Sequence, residues 1–182
     1  MRRRGVFVLA LMLAATGSFA AGAPAPLAGQ AGAVIQKEKA SGLELDFASF
    51  PWRPDVFQGF EAGGASAHSW AFARLVVSAY FTIDGTKLYP GHYAMVLNPR
   101  MGALPMTLEL RRVDSREFLG EPPAMPPPPA GETVYKAPVT FTPGAEPNPV
   151  LNLTLASWSD GALLTIRYGD RKLAKELLRS SP

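Results

Sequence analysis

From Arg74 to Leu97 the chain alternates side-chain character with a period of two, the signature of extended strands that press one face against a core. Leu75, Val77, Ala79, Phe81 and Ile83 share one parity, while Arg74, Ser78, Thr82 and Asp84 share the other. Val76 and Tyr80 interrupt the polar side, so that face is expected to be partly covered as well. Asp84-Gly85 supplies two residues that tolerate positive φ, as a tight hairpin turn demands. Pro90-Gly91 marks a second turn and leaves Thr86 to Tyr89 as a short connecting piece. The return strand runs from His92 to Leu97, with Tyr93, Met95 and Leu97 on one face, until Asn98-Pro99 stops it. The expectation is a strand, a tight turn and a returning strand.

The same period recurs along the chain. Leu43, Leu45 and Phe47 alternate with Glu44 and Asp46 in a first strand over Gly42 to Phe50; Met106, Leu108 and Leu110 alternate with Thr107, Glu109 and Arg111. Val139 and Phe141 alternate with Thr140 and Thr142. Leu151, Leu153 and Leu155, then Leu164, Ile166 and Tyr168, flank an Asp160-Gly161 turn and predict a closing hairpin. Between these lie interruptions. Residues 55 to 69 show no steady period and read as a long loop. Residues 120 to 131, GEPPAMPPPPAG, hold six prolines that cannot donate to a ladder, so an extended surface connector is expected. A second Pro/Gly stretch, PGAEPNP, precedes the closing hairpin. The end, RKLAKELLRSSP, is open between a short helix, from Leu173 and Leu177 four apart, and an edge strand. Short strands joined by Gly, Pro and Asp turns predict a single all-β domain, an antiparallel β-sandwich or jelly-roll-like fold, over residues 34 to 182.

The run Ile83-Asp84-Gly85-Thr86-Lys87-Leu88-Tyr89-Pro90-Gly91-His92-Tyr93 resembles the I-[DE]-G-x-K-L-x-x-G-x-Y hairpin of a family of secreted bacterial domains of unknown function. Arg53-Pro54-Asp55-Val56 resembles the family's R-P-x-V turn, and Ile166-Arg167-Tyr168-Gly169 its closing strand; the likeness covers roughly residues 50 to 172. Gly59 stands one residue later than in the family's pattern. Trp70 is followed by Ala71-Phe72-Ala73-Arg74, where the family places an Asn and an acidic residue. The resemblance implies a small β-sandwich and no established activity; it also makes the start of the C-terminal segment an edge strand.

Targeting and charge narrow the function classes. Arg2, Arg3 and Arg4, an apolar run from Val6 to Ala15, and small residues at Ser18 and Ala20 predict a secretory signal peptide over residues 1 to 20. The apolar run is too short to span a bilayer, so no stable membrane span is expected after cleavage. Residues 21 to 33 are small, uncharged and Pro-containing, and read as a flexible leader. The chain has 18 basic and 15 acidic residues; the three arginines leave with the signal, so the mature chain is balanced at 15 of each. Nothing in that balance favours nucleic acid. The expected location is the periplasm or the exterior of a bacterial cell.

Chemistry-bearing motifs are sparse. Two histidines, His68 and His92, and no cysteine exclude thiol catalysis and give no metal-ligand spacing, and no cofactor is expected. Glu44, Asp46 and Glu109 lie on strand faces where a glycosidase could keep its acid pair, although any soluble sandwich needs acids there. Trp52, Trp70 and Trp158 fall beside turns or strand ends, where an aromatic ring can stack on a sugar. The expected ligand site is where the 51 to 70 segment meets the central hairpin, with Trp52, Arg53, His68, Trp70 and Tyr89 as its residues. Two functions compete on this reading. One is a non-catalytic binding domain for a glycan or an envelope protein partner. The other is a hydrolase acting on a polysaccharide or peptide.

Overall fold

The computed structural model describes residues 35–64, 67–114, 118–119 and 127–182. The predicted signal peptide and leader, and most of the proline-rich segment, lie outside the described residues. In chain order the elements are β1 (Ile35–Ala40), β2 (Leu43–Ala48), α1 (Pro54–Ala62), β3 (Trp70–Val77), β4 (Phe81–Ile83) and β5 (Thr86–Leu88). They continue with β6 (Gly91–Asn98), β7 (Thr107–Arg112), β8 (Thr133–Pro138), β9 (Thr142–Trp158) and β10 (Gly161–Arg179). They form two antiparallel sheets, one in the order β1-β2-β3-β6-β7-β8 and one in the order β5-β4-β10-β9. The fold is an all-β sandwich, as the alternation requires.

The central stretch departs from a simple strand and return. β3 ends at Val77, the chain breaks over Ser78-Ala79-Tyr80, and β4 begins in the other sheet. Leu75, Val77, Phe81 and Ile83 nevertheless all face the core at 2 % exposure or less. One parity therefore serves both sheets, because the chain crosses from one to the other without turning its apolar face outward. Asp84 (φ 46) and Gly85 (φ 80) make the β4–β5 turn with the positive φ values their side chains tolerate. β6 then returns to the first sheet and pairs with β3 from Trp70↔Leu97 to Val77↔Gly91.

Three further segments differ from the sequence expectation. Residues 54–62 are helical rather than loop. Pro54 stands at the first turn, where its missing N–H costs nothing, and Phe57 and Phe60, one turn apart, are buried. The PGAEPNP stretch belongs to β9: Pro143 pairs with Arg171 and Asn148 with Gly169 across register shifts, and prolines are tolerated on such an edge. The C-terminal segment is neither helix nor edge. β10 lies between β4 and β9, and Leu173 and Leu177, four apart and so on one strand face, are both buried.

β10 cannot be straight. A strand of its length would span about 60 Å, yet the Arg179 amide donates to the Asp160 carbonyl at 2.7 Å. It folds back through the irregular stretch from Arg167 to Arg171, where Gly169 has φ 60. The first sheet is tied to this ribbon beyond β2: the Leu151 amide donates to Phe50 O at 2.7 Å and the Trp52 amide to Pro149 O at 2.8 Å. Leu45, Phe81, Leu88, Tyr93, Met95, Leu108, Leu153 and Leu177 fill the space between the sheets with no measurable exposure. Each such side chain contributes roughly 1.5–3 kcal/mol by leaving water.

Candidate functional site

The residues expected to form one site are dispersed. Trp70 is 2 % exposed and packs edge-on or tilted against Phe50, Phe60, Phe72 and Tyr168, so it offers no stacking face. Trp52 is half-buried against the same cluster, 4.7 Å from Tyr168 and 5.4 Å from Phe57 between ring centroids. Its indole lies across Gly169, where a Cβ would stand 2.1 Å from the Trp52 Cε2. Arg53 sits beside the start of α1 and pairs with Asp55 at 3.2 Å. His68 is exposed just ahead of β3. Tyr89 belongs to the opposite end of the sandwich, since β3 and β6 run about 23 Å between the Trp70 and Val77 ends. Trp52 and Trp70 thus share an aromatic core, and Tyr89 does not join them.

The acids give a hydrolase little to work with. Asp46, on the outer face of the first sheet, is fully buried; Arg74 donates to it with Nε at 2.9 Å and with Nη2, and Lys37 lies 3.2 Å away. Glu44 is clamped by Lys37 (2.8 Å) and Lys39 (2.6 Å), and these two ammonium groups pull its pKa down to about 2. Glu109, 4 % exposed, accepts hydrogen bonds from Asn98 Nδ2 (2.9 Å), Thr133 Oγ1 (2.7 Å) and Arg111 Nη2 (3.0 Å). Burial presses its pKa upward, but those three donors outweigh it and hold the carboxyl below its ordinary value. A general acid at neutral pH needs the reverse. Asp46 and Glu109 are moreover three strands apart, about 14 Å, wider than either glycosidase geometry uses. Among the described residues no group of three or more His, Asp or Glu is arranged to hold a metal ion.

What the fold does build is a cleft at the α1 end, missed by the sequence reading. α1 closes on Gly63 (φ 74), whose amide donates to Gly59 O at 3.0 Å. Glycine is required there twice over, because a Cβ would also lie 2.5 Å from Arg100 O. The Arg100 amide donates to Phe60 O at 2.9 Å, so the helix end and the segment after β6 are locked together. That segment is a tight turn in which Met101 and Leu104 exchange backbone hydrogen bonds at 3.1 and 2.9 Å around Gly102 (φ 58). Both side chains are held in water, at 68 % and 67 % exposure.

Beside the turn is a cleft of about 370 Å³. Met106, Val139 and Phe141 give it apolar lining, and Glu61, Arg100 and Pro105 line it as well. The Val139 amide donates to Met106 O at 2.9 Å and fixes that lining. Glu61 is neutralised by a two-pronged Arg171 contact, Nε to Oε1 and Nη2 to Oε2, both 3.0 Å. Arg100 donates through Nε to Gly102 O at 3.3 Å and has no carboxylate partner among the described residues. The arrangement can seat an apolar group and offer one cation to a neighbouring anion. Thr140 adds a hydroxyl to the lining, and Glu61, its one carboxylate among the described residues, is already paired with Arg171. Compared with protein-family models, with curated proteins and with solved structures, the chain matches none.

Proposed function

We propose that the protein is an exported, non-catalytic binding domain of the bacterial envelope, periplasmic or secreted, that docks an envelope protein partner through its α1 end. The observation that carries this reading is the rigid display of Met101 and Leu104. Two large aliphatic side chains stand in water on a hydrogen-bonded turn that is itself anchored to α1, next to a cleft with apolar lining. Exposed apolar groups cost solubility, and grouping them on a fixed support favours a partner that covers them. The Arg2 to Ala20 signature supports export, and the likeness of Ile83 to Tyr93 to a secreted family's hairpin agrees with it. A hydrolase remains the competing reading, and the clamped state of Glu44, Asp46 and Glu109 argues against it.

Panning the purified protein against a random peptide library on phage tests the proposal. Peptides pairing an aliphatic side chain with a carboxylate are expected to enrich, and to lose binding at least tenfold to the Met101→Ser/Leu104→Ser protein, as the loss of two apolar anchors implies. No enrichment, or enriched peptides that bind the double variant as well as the parent, would refute the docking surface. Turnover of a polysaccharide or peptide that Glu109→Gln abolishes would restore the hydrolase.

A further inference from the structure

We infer that the opposite end of the sandwich holds a second, separate site, built from Tyr80, Lys87, Tyr89 and Arg112, for an anionic polysaccharide. Tyr89 is 52 % exposed, and its ring meets Tyr80 at 5.8 Å and 71°. Lys87 Nζ lies 5.0 Å from the Tyr80 ring centroid and 5.8 Å from that of Tyr89. A Cβ on Gly91 would lie 3.6 Å from Arg112 Nη2, which places the guanidinium beside the Tyr89-Pro90-Gly91 turn. One cation thus lies over the aromatic pair and a second beside the turn that follows Tyr89.

The backbone under these side chains is fixed. Tyr93 Oη donates to Tyr89 O at 2.6 Å, and the Ser180 amide donates to Tyr80 O at 2.9 Å. Neither cation is neutralised: Lys87 and Arg112 have no carboxylate within 4 Å among the described residues. Asp84, the acid of the β4–β5 hairpin, stands at its far tip and is taken up by Tyr135 Oη and Lys175 Nζ, each at 2.6 Å. Glu132 lies across from Arg112, whose amide donates to its carbonyl at 3.0 Å, but the guanidinium leans the other way, toward β6. Arg179 is left out of the site, because its guanidinium turns to the β1–β2 turn, where Nη2 donates to Ser41 O at 3.1 Å.

This combination selects its ligand chemically. An exposed aromatic face stacks on the C–H face of a sugar ring, and two nearby cations favour carboxylate or phosphate groups carried by that sugar or the next. A neutral glycan would leave both cations unused, and a plain anion would leave the rings unused. The mature chain's balanced charge keeps the preference local to this end.

Affinity electrophoresis of the purified protein through gels containing polygalacturonate, with dextran as the neutral polysaccharide, tests the inference. The parent protein is expected to be retarded by polygalacturonate and not by dextran. Tyr89→Ala is expected to weaken retardation about fivefold, and Lys87→Gln and Arg112→Gln about threefold each, while Glu132→Gln strengthens it. Arg100→Gln, which removes the same charge at the other end, is expected to change nothing. No retardation, equal retardation by dextran, or an Arg100→Gln effect as large as that of Lys87→Gln would overturn the site. Because this surface does not include Met101 or Leu104, its failure leaves the docking proposal standing, and the converse also holds. Thermal melts of each variant show whether the protein tested is folded.

Discussion

Replacing Gly169 with alanine perturbs the point where the fold-back of β10 meets the aromatic cluster. Two costs combine. Alanine at φ 60 is disfavoured by about 1–2 kcal/mol. Its Cβ would also stand 2.1 Å from Trp52 Cε2, so the indole must lift and forfeit its contacts with Tyr168 and Phe57. Those ring contacts are worth about 0.5–1.5 kcal/mol each, which brings the expected loss to about 3 kcal/mol. In a domain of this size that corresponds to a drop of about 9 °C in Tm. Urea unfolding of four proteins reads the two costs separately: parent, Gly169→Ala, Trp52→Ala and the double variant. With the indole gone, Gly169→Ala is expected to cost only the backbone part, so the cycle shows at least about 1 kcal/mol of coupling between the two sites. A Gly169→Ala protein as stable as the parent, or one whose cost is the same with and without Trp52, would refute the packing described for this corner.

Other perturbations follow from the same physics. Trp70→Ala is expected to destabilise the fold by about 3–5 kcal/mol in urea unfolding, because the indole is core; a loss of ligand binding with intact stability would contradict that placement. Glu109→Ala leaves Arg111 and Asn98 without their shared acceptor at a buried position and is expected to cost about 3 kcal/mol by the same measurement. Glu44, Asp84 and Glu109 all have pKa values lowered by folding, so their contribution to stability is complete above the ordinary carboxylate range and is lost as pH falls through the folded values, for Glu44 down to about 2. Unfolding free energy measured against pH is therefore expected to fall on acidification below about pH 4.5, and Lys175→Met is expected to move the Asp84 carbon resonance titration upward. Met101→Ser/Leu104→Ser, made at exposed positions, is expected to leave stability within about 0.5 kcal/mol of the parent in urea.

The sandwich was legible in the sequence wherever one face of a strand alone is buried. Leu43-Leu45-Phe47, Leu108-Leu110, Leu151-Leu153-Leu155 and Leu164-Ile166-Tyr168 alternate cleanly, and each of these residues but Leu155, which is half-buried, lies in the core. β1, IQKEKA, was not visible, because an edge strand bearing Lys37 and Lys39 over Glu44 and Asp46 needs little apolar pattern. α1 has only faint sequence signals, too short to set a period: Pro54 at its start, Phe57 and Phe60 one turn apart, and Gly63 at its end. Four-residue spacing at Leu173 and Leu177 fits a helix and a strand equally, and only the pairing with β4 decides between them. The expected binding residues scattered because a tryptophan beside a turn is as able to close a core as to line a site, and Gly169 and the Phe cluster drew Trp52 and Trp70 inward. The cleft at the α1 end joins residues near 61, 100 and 140, which no local period connects. Its one sequence trace is Met101 and Leu104, two apolar residues set around Gly102-Ala103 between Pro99 and Pro105.

The docking surface is tested most directly by titrating the isotope-labelled protein with a peptide enriched in the panning and following backbone amide shifts. The largest changes are expected at Arg100 to Leu104, at Met106 and Val139 to Phe141, and at Glu61, with none at Tyr80 or Tyr89. Shifts centred on another surface, such as the outer face of the first sheet around Asp46 and Glu109, would contradict a domain that binds through its α1 end.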